Sequence, residues 1–228
     1  FGYEYEQGRP WRYNSLIAPF DFPVYKSKQE VEAERDSALS DFMPFFSENT
    51  ALPQRLIVGF RADFLHGKFK DVPINYLTHI ERMLAEVYDK GIVSAEQMSI
   101  MAQDRTPGLR LVEGTEAISH TLGELFSTRS AYEYIMHADT VHYPRDMMAR
   151  CNLNEYLEPN LVIDSVKTRT AREDVIQSVS PASGMVQSGQ RIIDRGEIVS
   201  PQQYQILQSF EHESVRRNDP SKGYWLIL

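Results

Sequence analysis

Leu16-Ile17-Ala18-Pro19, then Ser27, a charged run carrying Ala33-Glu34-Arg35-Asp36, and Phe42-Met43-Pro44 form a pattern that recurs in the second half of the chain. There the order is Tyr156-Leu157-Glu158-Pro159, Ser165, Ala171-Arg172-Glu173-Asp174 and Val179-Ser180-Pro181. Each copy sets a short extended segment with proline before a serine, and runs a charged helix from that serine. Each then stops at a second proline, which lacks the N–H that a helix interior requires. The repeat predicts two similar strand–helix units packed side by side in one core. Chance similarity between two amphipathic helices is the competing reading.

Working outward, Ser27-Lys28-Gln29-Glu30 is a capping box that opens a helix expected to reach about Phe42. A helix is expected from Gln54 to about Leu65. Within Asn75–Lys90, Leu77, Ile80, Met83, Leu84, Val87 and Tyr88 share one helical face, and Gly91 is placed to supply a left-handed C-cap. Ser94-Ala95-Glu96-Gln97 opens a short helix through Ile100, and Leu109–Val112 reads as a strand. Glu116–Phe126 fits either period, whereas Arg129–His137 and Arg145–Cys151 read as helices.

The tail differs in grammar. Gly184-Met185-Val186-Gln187-Ser188-Gly189 leads into Arg191-Ile192-Ile193-Asp194-Arg195-Gly196-Glu197-Ile198-Val199, where glycines punctuate β-branched residues as in short paired strands. Ser200-Pro201-Gln202-Gln203 then opens a last helix, with Val199 placed to staple against Tyr204. The fold class expected is α+β, predominantly helical, with two strand–helix units and a small glycine-punctuated β element near the C-terminus. Its core should draw on Ile80, Leu84, Val87, Leu111, Leu122, Ile135, Leu161, Ile193 and Ile206.

The chain has 228 residues, 42% of them hydrophobic and 25% charged, with a net charge of −8 and one cysteine. A chain of this length buries about 70–75% of the surface its unfolded form exposes, so a core forms without staples. One domain spanning residues 1–228 is the expectation. The acidic balance and the lack of a basic stripe argue against nucleic acid as a partner. Cys151 alone makes no internal disulfide and no cysteine zinc site. No run reaches the ~20 apolar residues of a spanning helix. The chain opens on Phe1 without the ordered regions of a signal peptide, and reads as a segment excised from a longer protein.

The sequence holds no credible catalytic or metal motif. Gly184 and Gly189 have P-loop spacing, but Gln190 and Arg191 occupy the places of the lysine and the magnesium-binding hydroxyl. His137, Asp139 and His142 could be drawn as the metal site of a stand-alone hydrolase, although a polar turn between helices is the plainer reading. His120 sits on an amphipathic stretch with no catalytic context. Cys151 has no local group to lower its pKa, which favours a small buried apolar role. No catalytic residue, metal ligand or cofactor is assigned.

The aromatics gather toward the ends. Trp11 and Trp225 are the two tryptophans, and Phe1, Tyr3, Tyr5 and Tyr13 cluster with the first. Two readings stand: rings at a membrane–water interface beside flanking helices, or rings that close the core.

The repeat, the tail and these ends together resemble the extracytoplasmic domain of bacterial seven-transmembrane HD-hydrolase proteins, the membrane-associated HD phosphohydrolases of the PgpH type. The residues that carry the resemblance run from about Tyr13 to Leu207. They include Leu16-Ile17-Ala18-Pro19-Phe20-Asp21, Tyr88-Asp89-Lys90-Gly91-Ile92-Val93, Leu157-Glu158-Pro159-Asn160-Leu161, Ser178-Val179-Ser180-Pro181 and the glycine-rich tail. The resemblance implies a non-catalytic sensory or regulatory domain on the extracytoplasmic side of an integral membrane protein. It sits between transmembrane helices, and its partner is an unidentified small molecule or protein. A separate cytoplasmic HD domain would hydrolyse cyclic di-AMP. A purely structural, protein-docking domain would share the geometry, and in either case both termini should emerge on one side.

Overall fold

The computed structural model describes residues 2–218. The chain divides into two compact units, one inserted in sequence into the other: a flanking unit up to Ala38 and from Val175 onward, and an inserted unit, Leu39–Asp174. The flanking unit opens with β1 (Leu16–Ile17), β2 (Phe22–Tyr25) and α1 (Lys28–Leu39). The inserted unit holds β3 (Phe45–Glu48), α2 (Ala51–Leu65), α3 (Asn75–Lys90), β4 (Ile92–Val93), α4 (Ala95–Gln103), β5 (Gly108–Glu113) and β6 (Glu116–Thr121). It continues through β7 (Phe126–Ser127), α5 (Thr128–His137), α6 (Arg145–Ala149) and β8 (Leu161–Ile163). The chain then passes along α7 (Ser165–Ser178) into β9 (Ala182–Val186), β10 (Arg191–Ile193) and α8 (Pro201–Arg217). The class is α+β with helices predominating.

The two copies of the sequence pattern assemble differently from the expectation. They are β2–α1–β3 and β8–α7–β9. β2 pairs antiparallel with β9 through Phe22 and Val186, and β3 pairs antiparallel with β8 through Phe46 and Ile163. Each copy therefore gives one strand to each unit. The shared core of two packed helices does not form, because neither α1 nor α7 buries a residue. Their sequences explain this: both are charged nearly all round, and a helix without an apolar stripe has nothing to bury. The cap read from sequence is present, with the Ser27 N–H donating to Glu30 at 2.7 Å and the Glu30 N–H to Ser27 Oγ at 3.2 Å. α1 stops at Leu39, short of Phe42.

In the inserted unit, α3 presents the apolar face the sequence predicts. Tyr76, Leu77, Ile80, Met83, Leu84, Val87 and Tyr88 are buried against Phe60 of α2, Ile135 of α5 and Met148 of α6. Each such side chain contributes about 1.5–3 kcal/mol of transfer free energy. A second cluster, with Phe46, Leu109, Leu111 and Leu161, lines the sheet ordered β6-β5-β3-β8, in which β5 and β3 run parallel. The ambiguous stretch Glu116–Phe126 resolves into β6, a 3-10 turn at Leu122–Glu124 and the start of β7. β6 hydrogen-bonds along β5, which is why a period-2 pattern wins there. α4 runs on to Gln103 rather than stopping at Ile100.

The flanking unit has its own core, in which Trp11, Phe22, Val24, Val186, Ile193, Leu207 and Phe210 pack together. The glycine-rich tail forms β9 and β10 as expected, and β10 pairs antiparallel with β1. α8 begins at the anticipated cap, with Ser200 and Gln203 exchanging bonds at 3.0 and 3.2 Å, and extends to Arg217. Trp11 is 2% exposed and donates its indole N–H to the Asn14 carbonyl at 2.9 Å. Its ring closes a core, which decides between the two readings for this tryptophan. Phe1, Trp225 and the apolar run 224–228 lie outside the described residues. Of the anticipated core residues, Leu122 and Ile206 are only half-buried, each at the margin of its cluster.

Candidate functional site

The turn after α5 brings Asp139 and His142 together but leaves His137 with other partners. His137 Nδ1 bonds the Glu133 carbonyl at 2.8 Å, and its Nε2 faces the Arg145 guanidinium at 2.9 Å. Arginine only donates, so Nε2 accepts and its lone pair is occupied. His142 turns instead to Asp139, with 2.9 Å between Nδ1 and Oδ2. The backbone N–H of His142 also donates to Asp139, and this bond, with the His142 ring, holds the carboxyl below its usual range. Among the described residues, no three His, Cys, Asp or Glu side chains converge where a metal would sit. Cys151 is fully buried, and burial pushes its thiol up to about 11, leaving no thiolate at neutral pH. Gly184 lies within β9, which pairs with β2, and Gly189 in the turn between β9 and β10, so the two do not form a phosphate-cradling loop before a helix.

Two motifs quoted from the sequence meet. Asn160 is wholly buried, accepts the Ile92 N–H on Oδ1 at 2.7 Å and donates Nδ2 to the Tyr88 carbonyl at 3.2 Å. The Tyr88 hydroxyl donates to the Tyr156 carbonyl at 2.8 Å and accepts the Glu158 N–H at 3.0 Å. The Tyr88–Val93 and Leu157–Leu161 segments thus satisfy each other's backbone groups where α3 ends. Their role is a clamp, and sequence alone gave no sign that the two were partners.

α3 also buries a titratable group. His79 is 4% exposed and stacks flat on Tyr143, with centroids 3.7 Å apart and planes 6° apart. Arg82 approaches its Nδ1 at 3.4 Å, and the buried Nε2 has no hydrogen-bond partner. Burial, then the Arg82 charge, lowers the imidazole pKa, with Asp139 opposing. The unfolded chain, with an ordinary value of about 6.5, binds a proton there that the folded chain refuses. Stability should therefore fall as pH drops below that value, by at most about 1.4 kcal/mol per pH unit from this residue, and be insensitive to it at higher pH. His79→Phe keeps the stack and removes the proton site. Urea midpoints at pH 8.0 and 5.5 should differ less in this variant than in the parent; an equal difference would refute the assignment.

In the flanking unit, polar side chains absent from every sequence motif converge on α8. Glu213 is 2% exposed, accepts from the Tyr25 hydroxyl at 2.8 Å, and lies 3.3 Å from Arg216 and 3.5 Å from His212. Burial alone would raise its pKa, but the Tyr25 bond and the Arg216 charge outweigh that, and the carboxyl titrates below its ordinary range. Beside this network lies a hollow of about 430 Å³ lined by Tyr25, Lys26, Gln205 and His212. A second, of about 630 Å³, opens on the other flank of α8 and meets the first at Gln208. Both fall in the ~300–1,000 Å³ range of small-ligand sites. Tyr25 and Glu213 are 188 positions apart, so their pairing leaves no mark in a local pattern.

No helix among the described residues is long and apolar enough to cross a membrane. No curated protein and no solved structure gives a significant match to the chain. The family model described as 7TM-HD extracellular matches residues 14–212, covering the β1–β10 pairing, the inserted unit and most of α8. With the repeat and the Tyr88–Asn160 clamp both inside that match, the chain belongs to the family of extracellular domains of 7TM-HD proteins.

Proposed function

We propose that this domain is the sensory or regulatory module of a membrane-bound HD-type phosphohydrolase that degrades cyclic di-AMP in the cytoplasm. The carrying observation is the family match over residues 14–212, which places the chain in the extracellular part of 7TM-HD proteins. The topology supports the reading. The described residues at both ends, Gly2 and Asn218, belong to the flanking unit. A ligand held by that unit would touch the segments that lead toward membrane helices on either side. Regulation requires the ligand to bind two conformations unequally, and such coupling is typically about 5–150-fold.

The test uses the full-length parent protein in membranes. Cyclic di-AMP hydrolysis is compared between the wild type and a variant in which residues 14–212 are replaced by a flexible linker. A change in turnover of about threefold or more, in either direction, is expected. A smaller change overturns the regulatory role and leaves a structural spacer. Failure of both proteins to hydrolyse cyclic di-AMP overturns the substrate assignment.

A further inference from the structure

The larger of the two hollows beside α8 is lined by Tyr3, Tyr5, Tyr13 and Tyr204. These rings are locked by contacts among themselves. Tyr3 and Tyr13 lie 5.0 Å apart edge to face, Tyr5 and Tyr204 5.6 Å apart, and Tyr3 and Tyr13 also pack at 5.2 and 5.1 Å on the buried Trp11. The segment beneath them is pinned by backbone. The Gly8 N–H donates to the Val199 carbonyl, the Trp11 N–H to Glu197, and the Val199 N–H back to Arg9, all within 2.8–2.9 Å. The seat is thus built in advance, which lowers the ordering cost of binding.

Polar groups around the rings divide into used and unused. Glu6 pairs with Arg9 at 3.4 Å, and Glu211 accepts from the Tyr5 hydroxyl at 3.0 Å. The side chains of Arg12, Glu4 and Gln208 have no hydrogen bond or ion pair among the described residues. They offer the guanidinium donors, a carboxylate acceptor and an amide that does both, with charges that cancel. The neighbouring hollow shares Gln208 but has no spare charged group beside it. There Lys26 is paired with Glu34 at 2.6 Å, Gln205 donates to Glu30 at 2.7 Å, and Ser209 both accepts from the Tyr25 N–H and donates to the Gln205 carbonyl.

We infer that this aromatic seat binds a neutral saccharide. A pyranose ring has an apolar C–H face that fits an aromatic ring, and a rim of hydroxyls that needs donors and acceptors in about equal number. A phosphate-bearing ligand would need an excess of cations, yet the lining carboxylates Glu4, Glu6 and Glu211 outnumber Arg9 and Arg12. A quaternary ammonium ion suits an aromatic cage, but it carries no acceptor for the spare donors of Arg12 and Gln208. The inference adds a ligand class to the regulatory role proposed above and rests on that reading only for its biological use.

Titration calorimetry of the 228-residue chain with maltotriose, cellotriose and chitotriose is the test. At least one should bind saturably, with Kd of about 1 mM or tighter. Arg12→Ala, at an exposed position, should weaken it at least tenfold without moving Tm, and Tyr3→Ala should weaken it at least tenfold while also lowering Tm, because its ring packs on Trp11 and Tyr13. No binding of any of the three sugars overturns the inference, as does binding weakened less than tenfold in both variants. Saturable binding of glycine betaine in place of the sugars also overturns it. Because binding is read on the isolated chain, its failure leaves the hydrolase-coupling test untouched, and failure of that test leaves the binding result standing.

Discussion

Asn160→Ala is expected to destabilise the inserted unit by about 2–5 kcal/mol, because the change strands a buried Ile92 N–H and a buried Tyr88 carbonyl, each costing about 1–3 kcal/mol unpaired. The amide fills both roles from a site with no exposure, so water cannot replace it. Urea unfolding at neutral pH reads the loss directly as a shift in midpoint. A loss under about 1 kcal/mol would show that the two segments hold together without the clamp. Asn160→Asp sharpens the test. It keeps an acceptor for Ile92 but sets a second oxygen against the Tyr88 carbonyl, and burial raises the new carboxyl's folded-state pKa. The raised value means that the unfolded chain ionises first as pH rises, so this variant should lose stability with increasing pH, where the parent amide has no such dependence.

Gly91→Ala carries a penalty of similar size from a different source. Gly91 sits at φ 101° and ψ 134°, a region essentially closed to residues with a Cβ. It is not the left-handed cap its position after α3 suggests, although its N–H still closes the helix on the Val87 carbonyl at 3.1 Å. An added Cβ would stand 2.5 Å from Leu161 Cδ1 and 3.5 Å from Leu125 Cδ2, both on buried residues. Backbone strain of about 1–3 kcal/mol adds to overpacking of about 1–3 kcal/mol. Leu161→Ala in the same chain relieves the clash but not the backbone strain. The double variant should therefore be more stable than the sum of the single losses predicts, by about 1 kcal/mol or more. Strict additivity would mean that the contact with Leu161 plays no part.

Features held by local contacts are legible in the sequence. The caps at Ser27, Ser94 and Ser200 are contacts across three residues, so their partners are visible in a four-letter window. The α3 face follows from a period of 3.6 over a helix whose apolar positions are large and regular. The small β tail was legible because glycines and β-branched residues alternate there without a helical period. The repeat itself was visible, and so was the polarity of α1 and α7 that kept them from forming the expected core.

The candidate site was much less legible. His137, Asp139 and His142 attract attention because they are close in sequence, but closeness in a turn lets each find a nearer partner than a metal. The groups that do converge, Tyr25 with Glu213 and Tyr5 with Tyr204, come from opposite ends of the chain. Their types are ordinary, and only their juxtaposition around α8 makes them a site.

The sequence by itself determined the helices and their caps, the α+β class, the repeat and the family to which the chain belongs, because these are properties of short windows and of their order along the chain. Tertiary structure alone decided that the repeat's strands separate into two units, that Asn160 joins two distant motifs, and that the N-terminal aromatics form a seat against α8. Those outcomes depend on which distant strand or ring supplies the missing hydrogen bond or contact, and many pairings are compatible with the same local pattern until the whole chain has closed.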